Sequence, residues 1–92
     1  MSAIYQTHEA WKDLRDQQDH EDSSDDVILF IEGDVYLETF DEQAEVVAEA
    51  LDIVLVTRDG ISSTGIPIGH DRLLARLVRM GYTVRIATAV AR

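Results

Sequence analysis

The chain has 92 residues, 46% of them apolar, a net charge of −10 and no cysteine. That length supports one hydrophobic core and a single domain over 1–92, with its folded part expected at 7–90. The missing thiols exclude a disulfide scaffold, a thiolate metal site and a cysteine nucleophile. No apolar run reaches the ~20 residues that span a bilayer, and the start lacks the regions of a signal peptide, so the expectation is a cytoplasmic protein with no membrane partner.

Thr7 can cap a first helix reaching about Gln18, with Ala10, Trp11 and Leu14 on one face. Residues 19–26 are acidic, polar and without periodicity, which reads as a solvated loop. Val27 to Ile31 is a short, wholly apolar run rich in β-branched residues, the mark of a strand covered on both faces. Glu32, Gly33 and Asp34 then form a tight turn in which Gly33 can take positive φ, and Val35 to Thr39 closes a hairpin.

Thr39 and Glu42 have the spacing of a capping box. The helix they introduce runs to about Leu51, with Phe40, Ala44, Val47 and Leu51 as its core stripe. Ile53 to Val56 reads as another buried strand. Residues 57–69, with Gly60, Gly65, Pro67 and Gly69, read as a long loop. Asp71 starts a last helix ending near Met80, with Leu73, Leu74, Leu77 and Val78 inward and Arg72, Arg76 and Arg79 on the opposite side. Gly81 terminates it, and Tyr82 to Ala87 forms the final strand. The fold class is α/β, a small mixed β-sheet flanked by helices in the order α-β-β-α-β-α-β.

The charge is unevenly divided. Residues 1–52 hold 16 of the 18 acids but only Lys12 and Arg15 as bases, whereas residues 53–92 hold two acids against six arginines. Such an acidic first half repels nucleic acid, which binds chiefly through cations on phosphate. It is equally the composition of a protein from a high-salt cytoplasm, where the Debye length falls to ~3 Å and a large net charge repels little.

Enzymatic templates fail for want of parts. There is no phosphate-binding glycine loop, no dinucleotide fingerprint and no nucleophile elbow. His8, His20 and His70 are scattered and form no metal-binding pair at helical spacing. The acidic pairs Asp25-Asp26 and Asp41-Glu42 are explained by solvation and by a helix start. The expectation is a non-enzyme with no cofactor and no metal.

One run does carry a resemblance. Ile28 to Phe40, reading Ile-Leu-Phe-Ile-Glu-Gly-Asp-Val-Tyr-Leu-Glu-Thr-Phe, resembles the start of the mismatch-recognition domain of the MutS DNA mismatch-repair family. That domain has an apolar strand, then Gly-Asp-Phe-Tyr-Glu-Leu-Phe, then a helix ending Leu-Asp-Ile. Here the helix likewise ends Leu51-Asp52-Ile53, followed by Val-Leu-Val-Thr-Arg58. Gly65-Ile66-Pro67 and the segment from Leu74 to Gly81 match further family motifs in order, so the likeness covers roughly residues 7–90. It implies a MutS domain I-like fold of tRNA-endonuclease-like topology.

The resemblance also implies a site. The family pair is Phe-x-Glu, the ring stacking on a mispaired base from the minor groove and the carboxylate bonding to that base. Aligning Gly33-Asp34 with the family's Gly-Asp places Val35 at the wedge, which cannot stack. One extra residue in the turn places Tyr36-x-Glu38-x-Phe40 on Phe-x-Glu-x-Phe and keeps the distance to Leu51-Asp52, and this alignment is preferred. Phosphate contacts would come from Arg58, Arg72, Arg76 and Arg79.

The expected function is therefore a free-standing module binding duplex DNA weakly, with a preference for mismatches and no ATPase activity, because the chain stops where the repair proteins continue. The alternative is an acidic interaction module that kept the fold and docks a protein partner through residues 1–52. A nuclease rests on fold analogy alone, since Lys12 is the only lysine.

Overall fold

A computed structural model describes residues 3–21 and 26–88. Its elements are α1 (Ala3–Glu21), β1 (Val27–Glu32), β2 (Tyr36–Phe40), α2 (Asp41–Leu51), β3 (Val56–Arg58), β4 (Ile61–Pro67), α3 (Asp71–Arg79) and β5 (Thr83–Thr88). The five strands form one sheet in the order β3-β4-β2-β1-β5, antiparallel except for the parallel pair β1–β5. A parallel pair needs a long crossover, and the whole stretch from β2 to α3 supplies it. The fold is the expected α/β arrangement of helices on a mixed sheet.

Alternation along β1 assigns its side chains to two layers, which is why the run is apolar throughout. Ile28 and Phe30 pack with Leu37, Val47, Leu51, Ile66 and Leu77 beneath α2 and α3. Leu29 and Ile31 pack with Trp11, Phe40 and Ile61 beneath α1. Phe40 is fully buried as expected, but with Trp11 in the α1 layer rather than with the α2 stripe. The chain reverses at Asp41, whose φ of 55° lets strand pass into helix without a connecting loop. Asp is among the few residues with a side chain that tolerate this region.

Several local expectations are corrected. α1 begins before Thr7 and runs through Glu21, so residues 19–21 are helical; residues 22–25 of the expected acidic loop lie outside the described residues. Thr39 does not cap α2. It is a strand residue, fully buried with no hydrogen-bond partner for its hydroxyl among the described residues, and no side chain caps this helix. Gly33 does not take positive φ. Val78 is 57% exposed rather than inward.

The largest local change is in residues 53–69. Ile53 to Leu55 is not a strand, and Val54 is 76% exposed, held where its carbonyl accepts the Thr64 hydroxyl at 2.7 Å. The presumed loop instead contains the β3–β4 hairpin, turning on Asp59 (φ 51°) and Gly60 (φ 80°). Two consecutive left-handed residues make a type I′ turn, whose twist matches that of the flanking strands. β4 then pairs through Ser63 to Pro67 with the whole of β2 and becomes an inner strand of the sheet. No helix of the described residues is long and apolar enough to cross a membrane.

Candidate functional site

α1 covers only part of its side of the sheet. The period of two places Phe40, Glu38 and Tyr36 of β2 on that side, and cross-strand register adds Ser63, Gly65 and Pro67 of β4 opposite them. Val56 and Arg58 follow on β3, opposite Ser63 and Ile61. Phe40 and Ile61 lie under Trp11. No other described residue covers the rest of the surface, a groove of about 630 Å³ lined by Tyr36, Glu38, Arg58, Val54, Val56, Ser63, Thr64, Gly65 and Pro67, with Thr7 of α1 at its margin.

Tyr36 is half exposed, so its ring stands on the sheet rather than inside it. It leans on Gly65: a Cβ there would lie 3.2 Å from the Tyr36 Cβ and 3.4 Å from Cγ and Cδ1. Glu38 is half buried, and desolvation raises its carboxyl above the ordinary value of 4.5. Its carboxylate reaches back toward Gly33, where an added Cβ would stand 3.5 Å from Oε2. Arg58 is exposed at the far wall, and no ion pair holds its guanidinium among the described residues. The groove thus offers an aromatic face, a partly desolvated carboxyl and, among the described residues, a cation outside any ion pair.

The α1 margin of this surface is fixed to α2 by polar contacts. His8 donates from Nε2 to both carboxylate oxygens of Asp41, at 3.0 and 3.1 Å, and Arg15 pairs with Glu42. Trp11 meets Phe40 edge-on with ring centroids 5.7 Å apart, and Arg15 lies over the indole. These contacts hold α1 over Phe40 and leave Thr7 beside the groove.

Of the six residues singled out from sequence, three come together: Tyr36, Glu38 and Arg58. Arg72, Arg76 and Arg79 do not join them. They are exposed on α3, whose Leu77 packs against Phe30, Leu37 and Ile66 on the opposite side of the sheet. The four arginines named as phosphate contacts are thus divided between the two sides of the sheet; the inner face of α3 was readable from sequence but not which side it covers. The residues missed were the floor, Gly65 with Ser63, Pro67 and Val56. Their signal was Asp59-Gly60 between β-branched segments, a hairpin dipeptide. Among the described residues there is no group of three His, Cys, Asp or Glu placed to hold a metal.

Compared with known proteins, the chain matches the family model described as MutS domain I over residues 9–92. It is 38% identical over 76 residues to the DNA mismatch repair protein MutS of Syntrophomonas wolfei subsp. wolfei, covering 76% of this chain and 9% of that protein. To the DNA mismatch repair protein MutS of Petrotoga mobilis it is 45% identical over 67 residues, covering 72% and 8%. To that of Thermosipho melanesiensis it is 43% identical over 63 residues, covering 67% and 8%. The chain spans less than a tenth of the length of these curated relatives.

Proposed function

Because this chain belongs to the MutS domain I family, we propose that it is a mismatch-repair-related DNA-binding module that works through the groove of Tyr36, Glu38 and Arg58. The observation that carries the reading is the half-exposed Tyr36 ring with Glu38 beside it, two positions along one strand on an uncovered sheet face. An aromatic ring inserted from the minor groove stacks on a base and offsets the cost of unstacking it, which is lowest where pairing is already faulty.

Glu38 suits the same surface. A carboxylate near DNA meets phosphate repulsion unless it accepts from a base donor or keeps a proton and donates. Burial shifts Glu38 toward its protonated form and so lowers the cost of placing this carboxyl near phosphate. Arg58 supplies a phosphate contact that positions the duplex without reading sequence. With a single arginine in the groove among the described residues, binding is weak and depends mildly on salt. The module hydrolyses no ATP in this reading.

The acidic interaction module remains the second reading, favoured by the exposed carboxylates Glu9, Asp13 and Asp16 on α1 and Glu42, Glu45 and Glu49 on α2. A basic protein partner would cover those helices and leave the groove untouched.

The test is a titration with matched and mismatched duplex at low and high salt, using the native chain, Tyr36→Ala, Arg58→Glu and Arg76→Glu. Tighter binding to the mismatch, lost in Tyr36→Ala and weakened in Arg58→Glu but kept in Arg76→Glu, is the expected pattern. Unchanged affinity in both groove variants would remove the DNA reading and leave the acidic one.

A further inference from the structure

We propose that Gly65 is a positioning residue that seats the Tyr36 ring in the groove and so sets its reach toward a ligand. Gly65 lies within β4, in register with Glu38 and diagonal to Tyr36, which is opposite Pro67. Glycine weakens a strand interior, having no side chain to pack and more conformational freedom to lose. Positive φ would justify it, but Gly65 has none. What the position needs is the missing Cβ.

An alanine methyl there would stand 3.2 Å from the Cβ of Tyr36 and 3.4 Å from Cγ and Cδ1, closer than ordinary carbon contacts. The root of the ring would have to move by a few tenths of an ångström, and the far edge swings further because it pivots on Cβ. Gly33 clears space for the same residue, since a Cβ there would stand 3.3 Å from the Tyr36 carbonyl oxygen. The backbone of Tyr36 is therefore closely approached on one side and its ring on the other. The observed seat of the ring, against the Cα of Gly65, is one that a side chain at position 65 would crowd.

The consequence for mismatch preference rests on the DNA-binding reading, whereas the seating of the ring does not. An aromatic ring close over a CH₂ group shields its protons. The first experiment is the NMR spectrum of the native chain and of Tyr36→Ala, without DNA. Gly65 α-protons shifted upfield in the native chain and returning to ordinary values in Tyr36→Ala support the proposal; unshifted protons in the native chain overturn it.

The second is a cycle of duplex titrations with the native chain, Gly65→Ala, Tyr36→Ala and the double variant, each checked for native Trp11 fluorescence. Gly65→Ala should reduce the preference for mismatched over matched duplex about fivefold, the low end of what one base–aromatic stack contributes. It should cause no further loss once Tyr36 is alanine. An equal loss with and without Tyr36 overturns the positioning role. Absence of any preference in the native chain rejects the DNA reading, while the proton shifts still decide whether Gly65 seats the ring.

Discussion

The side-chain oxygen of Gln43 accepts the backbone N–H of Leu29 at 2.9 Å, and the same amide donates to the Val27 carbonyl at 2.8 Å. β2 pairs with β1 only at Ile31 and Glu32, because the chain leaves β2 for α2 after Phe40. The first half of β1 would otherwise present unpaired backbone on that edge. Gln43, in the first turn of α2, satisfies it as a neighbouring strand would. Trp11 completes the repair by donating its indole N–H to the Leu29 carbonyl at 2.7 Å.

Replacing Gln43 by leucine leaves a buried donor and a buried acceptor without partners. At ~1–3 kcal/mol for each unsatisfied group, we expect Gln43→Leu to lower unfolding free energy by about 2–4 kcal/mol. Urea denaturation followed by Trp11 fluorescence measures it. A loss below about 1 kcal/mol would mean that water satisfies this edge.

Trp11 both fills the α1 layer and holds that carbonyl. Trp11→Phe should be destabilising by about 1–2 kcal/mol through the orphaned oxygen, and Trp11→Ala by about 3–5 kcal/mol through the added cavity. Thermal unfolding by circular dichroism ranks the two; equal losses would deny the ring's packing any role, and no loss in Trp11→Phe would deny the hydrogen bond one.

Glu38 binds its proton more tightly in the folded chain than at its ordinary 4.5. Between the unfolded and folded values the native state therefore holds more protons, so stability falls as pH rises through that window. The penalty is absent below it and fully present above. Glu38→Gln should melt higher than the native chain at pH 7, and the difference should vanish near pH 3.5. A constant difference across pH would show that the carboxyl is not desolvated.

The β3–β4 turn requires left-handed backbone at Gly60. Gly60→Ala introduces a Cβ into that conformation and should cost about 1–2 kcal/mol. Hydrogen exchange should rise first in Val56 to Arg58, an edge strand with no buried residue.

The arginines divide by layer. Arg58→Ala should lower the salt dependence of duplex binding by about one counterion, whereas Arg72→Ala, Arg76→Ala and Arg79→Ala should not change it. Plots of binding constant against salt concentration for the four variants test this. An equal reduction in all four would place one duplex against both sides of the sheet.

Much of the architecture was legible because it is written in local pattern. The apolar run at Val27 to Ile31 marked a doubly covered strand, and the stripes of α2 and α3 marked their inner faces. The order of motifs from Ile28 to Gly81 was enough to indicate the family. Tyr36 and Glu38 share a face by the period of a strand alone.

Other features depend on which distant segments meet. Whether Thr39 is a cap or a strand residue depends on β4 lying beside it, since pairing with Thr64 outcompetes the helix start. The floor of the groove exists because Asp59-Gly60 returns the chain against β2, a pairing that residues 61–67 alone do not specify. Where α3 lies is likewise a tertiary matter. Its apolar face fits either side of the sheet, and it is the occupation of the other side by α1, anchored through Trp11, His8 and Arg15, that puts its arginines away from Tyr36. Local sequence chose the elements, and burial of two apolar faces at once chose their sides.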